Sequence, residues 1–172
     1  RLGTSLRFPL QSRLSRREVL LGGLLLLLPV VGWLLNMGHR IEMTHRMQRG
    51  LPAWPAWPPW GEWGAWRRLL RHGVLTFLGM VQYHAPAALC HVLAVATDRP
   101  WLHWTGAALW LAATIAVPGY MSHYCVAFDA REIFDPWRAL RRVAQGGAAY
   151  WHAWVIALCA LVLSLAGVLA LG

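Results

Sequence analysis

Long apolar runs constrain the fold of this chain more than any other feature. They cover residues 19–37, 73–97, 101–120 and 148–172, and the second run alone has twenty-five residues. About 20 helical residues, each rising about 1.5 Å, are enough to cross the hydrocarbon core of a bilayer. Because backbone polar groups inside lipid must be bonded within the protein, the runs predict an all-α membrane fold.

The charge distribution indicates the class of partner. Hydrophobic residues make up 58% of the chain and charged residues 13%, against about 25% charged in soluble domains. The formal net charge is +9, and every basic residue is an arginine. A nucleic-acid-binding protein needs its basic residues on one solvated face, whereas these arginines lie in blocks between the apolar runs. We therefore expect membrane lipids and a larger membrane protein complex as partners, and no nucleic acid.

Arginine placement also predicts the topology, because cytoplasmic loops of membrane proteins are enriched in basic residues. If the first run turns back between Pro29 and Gly32, Arg99 lies alone on the far side and the other fifteen arginines lie on the cytoplasmic side. We therefore predict one membrane domain, 1–172, in a bacterial inner (cytoplasmic) membrane. It would be a polytopic helical bundle with a re-entrant or half-buried first hairpin plus three transmembrane helices. The alternative is four transmembrane helices, which divides the arginines ten to six.

Three further segments are predicted to lie at the membrane surface. Residues 1–18 form a basic lead-in, residues 38–72 are rich in arginine, tryptophan and proline, and residues 129–145 form an amphipathic helix. In all three, apolar side chains would enter the lipid while charged groups stay at the headgroups.

The Trp-Pro segment, residues 51–68, is the most regular of these. Its tryptophans recur at every third position: Trp54, Trp57, Trp60, Trp63 and Trp66. Polyproline II has a period of three residues, which would place the first three indoles on one edge. The next positively charged residues are Arg67, Arg68 and Arg71. Because indoles favour the headgroup layer and guanidinium groups bind phosphates, we predict a lipid or partner interface here. The alternative is a loop packed against its own protein.

Histidines suggest a second kind of site. His84 and His91 are seven residues apart in the second run, and His103 is placed at a depth similar to that of His91 in the returning helix. Paired histidines on different helices could hold haem b, and a single histidine could hold the magnesium of chlorophyll. The alternative is interfacial histidines bonded to water, lipid headgroups or backbone carbonyls. We expect no cofactor, with haem or chlorophyll as the alternative.

A polar group within the second run forms a third candidate. The group consists of four residues within a stretch of five: Gln82, Tyr83, His84 and Pro86. Pro86 lacks an N–H, so the carbonyl of Gln82 loses its helical partner at a depth where polar groups are costly. This pattern predicts either a substrate, quinone or proton site, or a kink whose polar groups bond to one another.

Catalytic patterns are missing from the sequence. It has no HExxH, GxSxG or phosphate-loop motif and no paired carboxylates within an apolar run. Cys90, Cys125 and Cys159 form no CxxC pair, so we expect neither a metal site nor a disulfide framework. We therefore expect a protein that is not an enzyme.

Several landmarks appear in a fixed order along the chain. They are Arg7-Phe8-Pro9-Leu10, Leu21-Gly22-Gly23-Leu24, Pro29-Val30-Val31-Gly32-Trp33, Gly38-His39-Arg40, Arg49-Gly50-Leu51-Pro52, Trp60-Gly61-Glu62-Trp63, Tyr83, Ala85, Pro86, Tyr120, Tyr124 and Phe128. Together they resemble a prokaryotic membrane family catalogued as domain of unknown function 4013. The chain departs from that pattern at His39, where members usually have tyrosine, and at Pro58-Pro59, where they have acidic residues. The resemblance implies a fold and a membrane location, and it carries over no catalytic residue.

These patterns predict a non-catalytic accessory or scaffolding subunit that packs against a larger membrane complex, such as a photosynthetic or respiratory one. The first alternative is a haem- or chlorophyll-binding redox or pigment subunit. The second is a small oligomeric transporter, for which a faint internal repeat is the only indication.

Overall fold

The computed structural model describes residues 12–171, and this part of the chain is helical except at the connections. The helices are α1 (Arg13–Leu25), α2 (Val31–Gln48), α3 (Trp63–Thr97), α4 (Trp101–Ala127), α5 (Arg131–Phe134) and α6 (Pro136–Leu171). The predicted all-α fold is confirmed for these residues. Residues 1–11, which include most of the predicted basic lead-in, and Gly172 lie outside the described residues.

The first apolar run folds back on itself. Helix α1 ends at Leu25 and α2 begins at Val31, with Pro29 in the connection. The side-chain amide of Asn36 in α2 donates to the carbonyl oxygen of Gly22 in α1, at 3.0 Å, which ties the two helices together. The connection exposes large apolar side chains: Leu26, Leu27, Leu28, Val30 and Val31. The chain therefore reverses where the sequence predicts it, and it presents an apolar tip.

Glycines bring α2 and α3 into backbone contact. A Cβ atom added at Gly38 would overlap the backbone carbonyl of Leu69, and one added at Gly73 would overlap that of Leu34. Small residues allow such close approach of helices, and this is a common way to pack helices in membranes. The hairpin is therefore held directly against α3.

The buried core lies where α2, α4, α5 and α6 meet. Its fully enclosed members are Ile41, Ala116, Tyr120, Tyr124, Cys125, Ile133 and Ala139. Tyr120 and Tyr124 are the largest of these side chains, and both come from α4. Helix α4 is therefore the element around which this part of the bundle packs.

The predicted helix over residues 129–145 is divided in two. Helix α5 ends at Phe134, Asp135 is extended, and α6 begins at Pro136. The helical conformation is sterically disfavoured for a residue that precedes proline, which explains the break. Ion pairs span it, because Glu132 lies 3.2 Å from Arg138 and 3.3 Å from Arg142. The apolar periodicity gave the helical character correctly but missed the interruption.

Two predicted segment ends, at residues 145 and 120, differ in whether the structure breaks the helix there. Helix α6 is interrupted at Gly147, whose φ is +52°, close to the predicted end of the amphipathic helix at residue 145. Helix α4 continues through Pro118 and Gly119 to Ala127 instead of ending at residue 120. A Cβ at Gly119 would lie 3.2 Å from the Val143 side chain, so α6 packs closely on this stretch. That packing supports the helix beyond the proline.

Among the described residues, one helix is long and apolar enough to cross a membrane by length and composition, and it is α3. Only 17% of its most apolar stretch is buried within the protein. Leu89, Val92 and Val95 are all more than half exposed. An apolar helix with so little of its surface covered supports membrane association.

Candidate functional site at the amino-terminal end of α3

A cavity of about 760 Å³ opens beside the first turns of α3. We call it the arginine cavity, and it is lined by Gly64, Arg67, Arg68, Arg71, His72, Tyr124 and Phe128. All three arginines named in the sequence-based interface are therefore in one site.

Helical spacing concentrates the positive charge of this cavity. Arg67 and Arg71 are four residues apart, so they share a face of α3 and repel one another. Arg68 has one carboxylate nearby, since its Nε lies 4.0 Å from Oε2 of Glu42. The side chain of Arg68 is 60% exposed, so this pair gives little stability. Three guanidinium groups beside one carboxylate leave a net positive cavity.

The start of α3 adds to this positive potential. No side chain caps α3, because Glu62 makes no capping hydrogen bond, and the first turn contains no acidic residue. A Cβ added at Gly64 would meet no atom within 4 Å, so the space beside it is open. The first N–H groups of a helix lack internal partners and carry partial positive charge. The start of α3 therefore adds positive potential near the cavity, while the guanidinium groups line it.

Aromatic and imidazole side chains form the inner wall of the arginine cavity. Nδ1 of the buried His72 lies 2.7 Å from the Tyr124 hydroxyl, within hydrogen-bond distance. The Phe128 ring lies 4.4 Å from the rings of both His72 and His45. His45 in turn donates from Nδ1 to the carbonyl oxygen of Cys125 at 2.5 Å. These contacts fix the end of α4 against α2 and α3, so the wall is rigidly placed.

His72 precedes the apolar stretch of α3, and its pKa lies below the ordinary value of 6.5. Burial is the main cause, because it disfavours the charged imidazolium. Glu42 opposes this shift, while Arg68 and Arg71 strengthen it. His72 is therefore neutral near pH 7, and the positive charge of the cavity comes from the arginines.

An apolar groove of about 360 Å³ adjoins this cavity. It is lined by Leu25, Leu28, Val31, Leu35, Trp60, Trp63, Trp66, Arg67 and Leu70. One wall comes from the α1–α2 hairpin and the other from the Trp-Pro segment and α3. Arg67 lines both spaces, so the groove and the arginine cavity meet at its side chain.

The tryptophans of the Trp-Pro segment do not form the single predicted stripe. Trp57 turns inward: its backbone N–H donates to the Glu18 carboxylate at 2.8 Å, and its ring stacks on His39 at 4.1 Å. Trp66 donates from its indole N–H to the carbonyl of Pro59 and stacks on Trp60. Trp60 and Trp63 are 78% and 77% exposed, while Trp54 is half-buried. The Trp-Pro segment is therefore partly packed on its own protein, through the contacts of Trp57 with Glu18 and His39. Its Trp60 and Trp63 side chains remain at the surface.

The structure brings two of the three predicted cofactor histidines together. Nδ1 of His91 lies 3.1 Å from Nδ1 of His103, a hydrogen-bond distance that an iron between them would have to widen. His84 lies apart from this pair: its Nδ1 donates to the carbonyl of Met80, and its ring packs edge-on to Trp110. No group of three or more His, Cys, Asp or Glu side chains suited to a metal ion occurs within residues 12–171.

The predicted intramembrane group does not converge on one point. Gln82 is exposed and donates to the carbonyl of Phe134 at 3.1 Å. Tyr83 faces inward and stacks on Tyr120 with ring centres 5.0 Å apart. His84 bonds within its own helix, and Pro86 is exposed. These residues therefore have separate structural roles in the described part of the chain.

No family model matches the sequence, no curated protein matches it, and no solved structure matches its fold. The resemblance to domain of unknown function 4013 stays a prediction.

Sequence reasoning did not assign the inner wall of the arginine cavity. His72 and Tyr124 are 52 residues apart, and their bond depends on how α3 and α4 pack. The only sequence signals were that His72 directly follows Arg71, and that Tyr124 and Phe128 share a helical face.

Proposed function

We propose that this chain is an integral membrane protein that works by contact, as a non-catalytic accessory or scaffolding subunit of a larger membrane complex. In this proposal α3, α4 and the apolar part of α6 cross a bacterial inner membrane, and the α1–α2 hairpin enters it partway. The arginine-rich loops face the cytoplasm.

One observation supports the proposal most directly. Three guanidinium groups, those of Arg67, Arg68 and Arg71, and two exposed indoles, those of Trp60 and Trp63, lie together just before the apolar stretch of α3. Indoles favour the headgroup layer, where one edge is apolar and the other is wet. Guanidinium groups at that depth bind lipid phosphates, and basic loops favour the cytoplasmic side.

The polar side chains inside the bundle support a role by contact. His39 bonds to the carbonyl of Pro55 at 3.0 Å, His45 to that of Cys125, and His84 to that of Met80. Each of these histidines therefore satisfies a backbone carbonyl and stabilises the fold. The large exposed apolar surface of α3 is available to lipid and to helices of a partner.

A second candidate function is a haem- or pigment-binding subunit, favoured by the approach of His91 and His103 to 3.1 Å. These imidazoles come from adjacent helices at the end of the bundle opposite the arginine cavity. A modest separation of α3 and α4 there would give each nitrogen access to a metal.

Purification of the full chain from its native membrane in mild detergent distinguishes the two functions. Companions in fixed stoichiometry, without a visible absorption band from this chain, would support the accessory role and identify the complex. A lone protein whose haem or chlorophyll band disappears in His91→Ala would overturn that role. Recovery of the chain from the aqueous fraction would overturn the membrane location itself.

A further inference from the structure

We propose that the arginine cavity and the apolar groove form one site for an anionic phospholipid, with the phosphate in the cavity and an acyl chain in the groove. This inference rests on the membrane location in the proposed function. It replaces a general attraction to the membrane surface with a specific, stoichiometric site.

The cavity has the chemistry of a phosphate site. Its charged lining groups are Arg67, Arg68 and Arg71, and guanidinium groups bind phosphate oxygens in bidentate fashion. The start of α3, which has no side-chain cap and no acidic residue in its first turn, adds partial positive charge near the cavity. Glu42 approaches Arg68 alone, so Arg67 and Arg71 keep their charge available to a ligand. A lipid that carries a quaternary ammonium group would bring a second cation into this cavity and bind less well.

The groove has the chemistry of an acyl-chain site. Every lining residue except Arg67 presents apolar or indole surface. Leu28 at the hairpin tip is 52% exposed, and Trp60 and Trp63 on the opposite wall are more exposed still. Leaving such surfaces in water is unfavourable, and an acyl chain between them would cover both walls.

The position of Arg67 favours a lipid over a soluble phosphate as the ligand of this site. Its side chain lines both spaces, so a ligand bound to it can extend in both directions. Inorganic phosphate or a small phosphorylated metabolite would use the cavity and leave the groove empty. A phospholipid joins one phosphate to long apolar chains, which is the combination that the two spaces present.

Lipid binding to the purified full chain in neutral detergent tests this inference, with native mass spectrometry as the readout. The probes are dioctanoyl phosphatidylglycerol, dioctanoyl phosphatidylcholine and glycerol 3-phosphate. We expect one equivalent of the anionic lipid to bind at least about tenfold more tightly than either of the others, the size expected from one charged hydrogen bond.

Two sets of variants separate the halves of the site. Arg67→Gln and Arg71→Gln should each weaken binding of phosphatidylglycerol about tenfold and remove the preference over phosphatidylcholine. Leu28→Asn, at an exposed position in the groove, should weaken lipid binding and leave any binding of glycerol 3-phosphate unchanged. Arg99→Gln is the matched control, because it removes the same charge at the opposite end of α3.

Equal affinity for the two lipids would overturn the inference, as would full binding by Arg67→Gln and Arg71→Gln. Glycerol 3-phosphate that binds as tightly as the lipid would identify a soluble phosphate ligand instead. A chain that purifies with companions but shows no lipid preference retains the accessory role and loses this site. A chain that binds one anionic lipid but purifies alone retains this site and loses the accessory role.

Discussion

The Tyr124 hydroxyl lies 2.7 Å from Nδ1 of His72, and this bond ties the end of α4 to α3 at the wall of the arginine cavity. Both side chains are buried. Tyr124→Phe would remove this bond and leave the buried imidazole nitrogen without its partner, which costs about 1–3 kcal/mol of unfolding free energy. We expect a lower thermal unfolding midpoint in detergent.

Tyr120→Phe is the matched control, because it removes a hydroxyl one helical turn earlier. The Tyr120 hydroxyl is buried and has no hydrogen-bond partner within the described chain. Its removal should leave stability unchanged or raise it, since no bond is lost and a buried polar group disappears. Equal loss of stability in the two variants would show that the bond between His72 and Tyr124 contributes nothing.

The second prediction concerns the contact between α2 and α3. Gly73→Ala places a methyl group where the Leu34 carbonyl lies, so the two helices must separate. We expect a loss of about 1–3 kcal/mol, the usual cost of overpacking. Gly23→Ala in α1 is the control, because a Cβ there meets no atom within 4 Å. That change should be neutral or stabilising, since alanine favours helix over glycine. An unaffected Gly73→Ala protein would exclude backbone contact between these helices.

The third prediction is a loss of stability in acid. His39 is buried and lies beyond the apolar part of the hairpin, and burial lowers its pKa below 6.5. The bond to Pro55 and the charges of Glu18 and Glu42 oppose this shift without reversing it. The unfolded chain therefore binds more protons below pH 6.5, so stability is fully present above that pH and falls as the pH is lowered through it.

Unfolding midpoints measured from pH 8 to pH 5 check this dependence. His39→Gln keeps a donor for the Pro55 carbonyl and removes the titrating ring, so the fall below pH 6.5 should become smaller. The shift at His72 has the same sign, so part of the fall should remain. A steeper fall in His39→Gln than in the parent chain would contradict the assignment.

Local signals allowed much of the fold to be predicted. The reversal near Pro29 follows from a residue that cannot continue a helix, and the long apolar runs gave helices at the right places. One of the errors has a tertiary cause. Helix α4 continues beyond Pro118 because α6 packs on Gly119, a contact between distant parts of the chain. The break before Pro136 has a local cause, since the residue that precedes a proline disfavours the helical conformation, although the apolar periodicity across it predicts one helix.

The residues of the candidate site likewise divide into those grouped by local spacing and those brought together by helix packing. The arginines of the cavity lie within one helical turn of each other, so sequence alone could group them. The inner wall depends on Tyr124, which is 52 residues from its partner His72. The inward turn of Trp57 depends on Glu18, 39 residues away. Spacing within a segment cannot reveal such contacts, because they exist only once the helices have packed.

The fourth prediction separates two tryptophans that the sequence pattern treats alike. Trp57 donates two hydrogen bonds to Glu18, from its backbone N–H and its indole N–H, and its ring stacks on His39. Trp60 is 78% exposed. Trp57→Ala should therefore lower the unfolding free energy by about 3 kcal/mol, through lost packing and a lost indole bond. Trp60→Ala should leave stability nearly unchanged and weaken binding of phosphatidylglycerol, because its exposed indole lines the apolar groove. Detergent unfolding and native mass spectrometry measure the two effects in parallel. If Trp60→Ala unfolded as readily as Trp57→Ala and bound the lipid normally, the Trp-Pro segment would be a packed loop throughout, and its exposed indoles would have no role in lipid binding.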